Sequence, residues 1–219
     1  MTEKGLQLMT FNSLEFLGFF AAVLLLYYIC PKRFRTILTF VSSLGFYAIY
    51  SLKLTLFLII YIALIYFAGI IIEKTGKKAV IFITVILGLL PLVVCKYLNV
   101  GLGFLNLRTF SVVVPLGISY FTFKSIGYLA DVYKGTVSAE RNPIRFGAYI
   151  SFFPEMLTGP IDKSSNLLVQ LKEESPKSFA DLEKGALLLV WGYFEKMCVA
   201  DRLGVVVDTV YSNLYSYEF

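Results

Sequence analysis

Long apolar blocks separated by short polar breaks make up most of the first 130 residues. The blocks cover residues 14–30, 34–50, 52–72, 79–98 and 112–130. Each is close to the roughly 20 residues that a helix needs to cross a bilayer. The pattern therefore predicts an all-α polytopic membrane protein, with about five transmembrane helices between residues 11 and 131. We expect the whole of residues 1–219 to form a single membrane domain.

The apolar pattern changes after residue 131. Residues 146–160 are mostly apolar but contain Pro154 and Gly159-Pro160, and each proline removes a backbone donor and disfavours helical geometry in the residue before it. Non-helical backbone at membrane depth is tolerated only where protein or water covers it. We therefore predict a re-entrant, broken helix over 146–160 that lines an internal cavity. A surface turn between two helices is the alternative.

Two more helices are expected after this segment. Residues 164–174 have an apolar stripe of Leu167, Leu168 and Leu171, which predicts an interfacial amphipathic helix. Residues 179–207 start apolar and then include four charges, which do not suit a helix facing lipid. These charges are Glu195, Lys196, Asp201 and Arg202. We expect this charged helix to line a cavity; structural ion pairs at a membrane interface are the alternative.

The fifth apolar block contains a lysine in its middle. At helical spacing, Lys124 shares a face with Tyr120 and Asp131, while Ile118 and Phe121 lie on an apolar face for lipid or neighbouring helices. An ionisable residue inside a membrane helix costs about 2.5–3.5 kcal/mol on insertion scales and usually faces a cavity or a partner. Lys124 therefore faces an acidic substrate or carrier group, pairs with Glu155 or Asp131, or extends to the interface.

Composition narrows the function classes. The chain is 58% hydrophobic with a formal net charge of +5, and in a membrane protein such an excess marks cytoplasmic loops and not nucleic-acid binding. It contains no histidine and three scattered cysteines, so we expect no metal site and no bound cofactor. Without histidine, a Ser-His-Asp arrangement is impossible within these residues.

The distribution of lysine and arginine predicts the orientation. With the N-terminus outside, the cytoplasmic loops hold nine basic residues and the outer segments hold four. The nine are Lys32, Arg33, Arg35, Lys74, Lys77, Lys78, Lys134, Arg141 and Arg145, and the four are Lys4, Lys53, Lys96 and Arg108. We therefore expect a multi-pass protein of the cell membrane with an extracytoplasmic N-terminus.

Three motifs in order resemble the membrane-bound O-acyltransferase family. They are PLGISYFTFKSIGYLADVYKG from Pro115, FFPEMLTGPI from Phe152 and GYFEKMCVADRLG from Gly192. The branch that they resemble comprises the bacterial proteins of alginate O-acetylation and of teichoic-acid D-alanylation. The resemblance covers essentially all of the chain but about the first half of the family's usual length.

The resemblance implies transfer of an acyl group, typically acetyl, from a thioester donor (acyl carrier or CoA) to a hydroxyl of an extracytoplasmic polysaccharide or envelope polymer. It implies a ring of helices around a tunnel, an acyl-donor carrier protein and a downstream polymer-modifying partner. The family's catalytic residue is a histidine in a later helix, so no catalytic residue is assigned here and we expect these residues alone to be inactive. The alternative function is a non-catalytic membrane scaffold in a polymer-export or modification complex.

The resemblance also implies a set of tunnel or substrate-lining residues. These are Tyr120, Thr122, Pro154, Gly159, Pro160, Lys163 and Lys196, and the residue pattern described above adds Lys124 and Glu155 as lining candidates. Three positions depart from the family pattern. Lys124 stands where glutamine is common, Lys163 where arginine is common, and Glu195-Lys196 where a lysine pair is common.

Overall fold

A computed structural model describes residues 13–104, 113–156, 159, 162–173 and 178–212 of the chain. Most of these residues are helical, with no strand among them. The α-helices are α1 (Leu14–Ile29), α2 (Lys32–Tyr50), α3 (Leu52–Thr75), α4 (Lys78–Phe104), α5 (Ile118–Lys134), α6 (Pro143–Ile150), α7 (Phe153–Met156), α8 (Ser164–Glu173), α9 (Phe179–Phe194) and α10 (Asp201–Ser212). A π-helical segment, Glu195–Ala200, joins α9 to α10.

The helix boundaries follow local signals in the sequence. Ser13 caps α1, where its Oγ accepts a hydrogen bond from the backbone N–H of Phe16 at 3.1 Å. Asn142 caps α6 in the same way, and Pro143 takes the first helical position, where its missing N–H costs nothing. Gly135 ends α5 in the left-handed region at φ 73°, which glycine adopts without strain.

Each of the five predicted apolar blocks overlaps one helix, and the fifth helix begins at Ile118, six residues after the start of its block. By length and apolarity, two of the described helices can cross a membrane, at Leu52–Thr75 and Lys78–Leu98, and Leu14–Ile29 is a shorter apolar helix. The all-α fold and the membrane-type helices are as predicted. The number of five spans stays a prediction.

The core lies between α3, α5 and α6, with α2 and α4 packed around them. Tyr47, Leu58, Ile65 and Tyr128 are fully buried there. The apolar face of α5 is also buried, since Ile118 and Phe121 are at most 2% exposed. Of the two environments expected for this face, the structure therefore shows neighbouring helices.

The amphipathic helix α8 is present, but its apolar stripe packs on protein. Leu167 and Leu168 are 7% and 4% exposed and join the main core, against α6 and α5. Ser164 Oγ donates to Asp131 Oδ2 at 2.5 Å, which fixes the start of α8 on α5. The leucine spacing indicated a helix correctly, but this spacing cannot distinguish a protein surface from a lipid surface.

The segment from α9 to α10 is continuous helix with no buried residue. No other described helix packs extensively against it. The charged segment is therefore helical, and its cavity-side position stays a prediction. Two of its four charges pair locally, as Lys196 Nζ lies 2.5 Å from Asp201 Oδ1.

Two loops meet at one end of the helices. Glu73, in the last turn of α3, accepts a hydrogen bond from the backbone N–H of Ala139 at 2.7 Å and pairs with Arg141. The hydroxyl of Tyr66 donates to the carbonyl oxygen of Arg141 at 2.6 Å. The loop after α3 and the loop after α5 therefore lie on the same side of the molecule.

Candidate functional site

The chain from α6 to α8 runs along α5 and then returns. Phe146 contacts Tyr128 with 4.8 Å between ring centroids, and Glu155, nine residues further on, reaches Lys124. After α7 the chain comes back, because Ser164 bonds Asp131. At 1.5 Å per residue, Lys124 lies about 10 Å along α5 from Asp131. The segment thus enters from the Asp131 end of α5 and leaves toward the same end.

The centre of the site is an ion pair between Lys124 and Glu155. Lys124 Nζ lies 2.5 Å from Glu155 Oε2, and the two side chains are 6% and 15% exposed. The ammonium also lies 4.7 Å from the ring centroid of Tyr149 and 6.0 Å from that of Phe152. The carboxylate and the electron-rich ring faces together stabilise a cation that is otherwise costly to bury.

A hydrogen bond and a cluster of aromatic rings hold the short helix α7. The backbone N–H of Phe153 donates to Ser43 Oγ at 3.2 Å. The Phe153 ring is 2% exposed and packs against Phe19 and Phe46 at centroid distances of 5.2 and 5.7 Å. Because α7 is too short to be stable by itself, these contacts from α1 and α2 determine where Glu155 lies.

Two glycines allow the backbone to approach α7 closely. A Cβ on Gly117 would clash with the carbonyl oxygen of Met156, and Gly117 also has a φ of +67°. A Cβ on Gly159 would clash with the backbone of Glu155. The backbone N–H of Gly159 donates to the carbonyl oxygen of Glu155 at 3.0 Å, so a tight turn closes directly behind the carboxylate.

A small crevice opens beside the ion pair. Tyr120, Lys124, Phe152 and Glu155 contribute to its walls, and it offers about 10 Å³ to a water-sized sphere. That is the space of about one water molecule. In this conformation the ion pair is therefore reachable by water, and the crevice is too small for an acyl group.

The structure brings together some of the nine predicted residues. Tyr120, Lys124 and Glu155 share the crevice, while Pro154 and Gly159 flank the carboxylate in sequence and lie next to it. Pro154 is the second residue of α7, where a proline does not interrupt the helix.

The other four predicted residues lie elsewhere or are not described. Thr122 is fully buried on α5 and does not contribute to the crevice wall. Lys163 is exposed just before α8, and Lys196 is exposed in the π-helical segment, where it pairs with Asp201. Pro160 lies outside the described residues.

Sequence reasoning missed Tyr149, Phe152 and Ser43 as parts of this site. The two aromatic residues precede Glu155 at intervals of three, a spacing that places residues on one face of a helix, although α6 ends at Ile150 and α7 begins at Phe153. That spacing was a usable signal. No local pattern indicates the contact of Ser43, because its partner is 110 residues away.

Comparison with curated proteins gives a consistent set of relatives. A probable alginate O-acetylase AlgI of Pseudomonas syringae pv. tomato is 31% identical over 91% of this chain and 42% of its own length. A peptidoglycan O-acetyltransferase of Helicobacter pylori is 27% identical over 95% of this chain and 46% of its length. A teichoic acid D-alanyltransferase of Lacticaseibacillus rhamnosus is 27% identical over 61% of this chain and 33% of its length.

These relatives are longer than the sequence they match. The chain spans less than half the length of the curated relatives. No protein-family profile matches it, and no solved structure matches it.

Proposed function

We propose that this chain forms part of an enzyme that acylates a cell-envelope polymer. The proposal follows from its similarity to envelope acyltransferases of the membrane-bound O-acyltransferase type. We propose acetyl as the transferred group, because two of the three relatives described above are named for O-acetylation. The proposed acceptor is a hydroxyl of an extracytoplasmic polysaccharide. The observation that supports this most is the 31% identity to an alginate O-acetylase over 91% of the chain. The same matches confirm the resemblance seen in the three motifs.

Within this enzyme, residues 146–160 form the re-entrant element. The supporting contacts follow the chain in order. Phe146 contacts Tyr128, Glu155 contacts Lys124 and Met156 lies against Gly117 at the N-cap of α5. Ser164 then contacts Asp131, near the other end of α5. Gly117 lies about 21 Å along α5 from Asp131, compared with a hydrocarbon core of about 30 Å. The element therefore places Glu155 well inside the membrane domain.

Glu155 and Lys124 have a positioning role in this proposal. Each neutralises the other, so neither is free to act as a general base while the pair is intact. The base that activates the acceptor hydroxyl is a histidine outside these 219 residues. The pair fixes the re-entrant element beside the crevice. In this proposal the crevice is one end of the tunnel that admits the acyl group, and the tunnel has to widen there before the group can enter.

The protein spans the cell membrane several times with its N-terminus outside. The contact of Glu73 with Ala139 and Arg141 supports placing the loops after α3 and α5 on one side of the membrane. The assignment of that side to the cytoplasm rests on the lysine and arginine distribution alone. The thioester donor, an acyl carrier or CoA, approaches from that cytoplasmic side. A carrier protein and a downstream polymer-modifying protein are the proposed partners.

Polymer-bound ester in the native host tests the function. We expect deletion of the gene to remove alkali-labile acyl esters from one envelope polymer and the wild-type gene to restore them. Glu155→Gln should restore less than a tenth of the ester, whereas Lys53→Gln, an exposed charge in α3, should restore all of it. Unchanged ester after deletion contradicts the proposal and favours the non-catalytic scaffold.

A further inference from the structure

Arg35, in the first turn of α2, is a buried cation without an acidic partner among the described residues. The residue is 6% exposed, and no ion pair is found for it in that part of the chain. Its Nε donates to the carbonyl oxygen of Cys30 at 3.4 Å. The guanidinium carbon lies 5.2 Å from the ring centroid of Tyr27. These contacts use one of five N–H groups.

A largely buried guanidinium without a counter-ion is energetically costly. The Nη nitrogens of Arg35 are not among the fully buried atoms that lack a partner, so a ligand can reach them. Burying a charge is unfavourable unless the charge is paired and hydrogen-bonded. Arginine cannot avoid the cost by losing its proton, whereas a lysine or a carboxylic acid can neutralise. The contacts with Tyr27 and Cys30 fix the position of the guanidinium without neutralising its charge. The remaining N–H groups therefore suit an oxyanion.

The surroundings of Arg35 also favour an anion. The guanidinium folds back to Cys30, so it lies at the N-terminus of α2, where the helix dipole is positive. Of the first-turn N–H groups there, that of Phe34 donates to the carbonyl oxygen of Pro31 at 3.0 Å. Pro31 occupies the N-cap without a side-chain hydrogen bond, and the first turn has no acidic residue. Lys32 and Arg33 are exposed in the same turn and add two positive charges.

Apolar side chains beside the turn indicate where the anion comes from. Leu26 and Ile29, in the last turn of α1, are 51% and 79% exposed, and Phe34 is 51% exposed. Such side chains next to a basic cluster suit the boundary between lipid tails and headgroups. We propose that the turn between α1 and α2 binds the phosphate group of an anionic phospholipid. Arg35 contacts it directly, and Lys32 and Arg33 attract it.

Lipid binding by the purified full-length protein tests the site. The probes are phosphatidylglycerol, phosphatidylcholine and inorganic phosphate, and native mass spectrometry counts the lipids that remain bound. The main variant is Lys32→Gln with Arg33→Gln, since both side chains are exposed and their loss should not affect folding. The matched control is Lys77→Gln with Lys78→Gln, an equally exposed basic pair in the next loop on the same predicted side.

We expect wild-type protein to bind phosphatidylglycerol in preference to phosphatidylcholine. The main variant should weaken phosphatidylglycerol binding about tenfold, which is within the range for charge-assisted contacts, and the control variant less than twofold. Arg35→Gln should abolish the preference if it folds; if it does not fold, the main variant decides. Equal losses in the main and control variants overturn the proposal. Displacement of the lipid by millimolar inorganic phosphate also overturns it, in favour of a free-phosphate site.

Discussion

The ion pair between Lys124 and Glu155 predicts a large energetic coupling between two residues that are 31 positions apart. The pair is 6% and 15% exposed, so water screens it little. Removing one partner leaves the other as an uncompensated buried charge, which typically costs about 3–5 kcal/mol. Removing both partners leaves no orphaned charge. We therefore expect Lys124→Met and Glu155→Gln each to lower the free energy of unfolding by about 3 kcal/mol.

The double variant should cost clearly less than the sum of the single variants. We expect a coupling energy of about 2–3 kcal/mol from the double-mutant cycle, measured by reversible unfolding in mixed micelles. The pair Lys196–Asp201 is a matched control, because it has the same 2.5 Å separation with side chains 54% and 44% exposed. Exposed pairs contribute about 0–1 kcal/mol. Additive effects at Lys124 and Glu155, or equal couplings in the two pairs, would refute this reasoning.

Two other predictions concern the turn behind Glu155 and the topology. Gly159→Ala should reduce stability by about 1–3 kcal/mol, since its Cβ would overlap the backbone of Glu155. Gly127→Ala, where nothing lies within 4 Å, should be neutral or stabilising by up to about 1 kcal/mol; thermal unfolding of both variants distinguishes them, and equal effects contradict the close approach. In a cysteine-free background, Thr136→Cys should react with an impermeant maleimide only from the cytoplasm and Lys53→Cys only from outside. The reverse labelling pattern contradicts the orientation.

The sequence predicted the helical elements well because their signals are local. The length of the apolar blocks predicted the first five helices, and the spacing of the leucines in residues 164–174 predicted α8. The π-helical segment Glu195–Ala200 lies within the helix that the pattern predicted over residues 179–207, and the pattern did not indicate it. The positions of the helices relative to one another could not be predicted from such local signals. The leucines of α8 face α5 and α6, but the same leucine spacing is found in helices that lie on a lipid surface.

The candidate site was predictable only in part. A lysine inside an apolar helix needs a partner, and Glu155 was one of the two acids that sequence offered for Lys124. The choice between Glu155 and Asp131 depended on tertiary structure, since Asp131 instead accepts a hydrogen bond from Ser164. The clash that excludes a side chain at Gly117 likewise depends on Met156, a residue 39 positions later, which no local pattern reveals.

Transfer of labelled acyl groups in membrane vesicles tests the central claim most directly. Inside-out vesicles from cells that produce the full-length protein would receive a labelled thioester donor on their exposed cytoplasmic face, and the lumenal polymer would then be hydrolysed in alkali. We predict alkali-labile label on the polymer in wild-type vesicles and its loss with Glu155→Gln but not with Lys53→Gln. Label that is independent of the protein, or no label although the wild-type protein is folded and supplied with donor, would contradict the proposed acyl transfer.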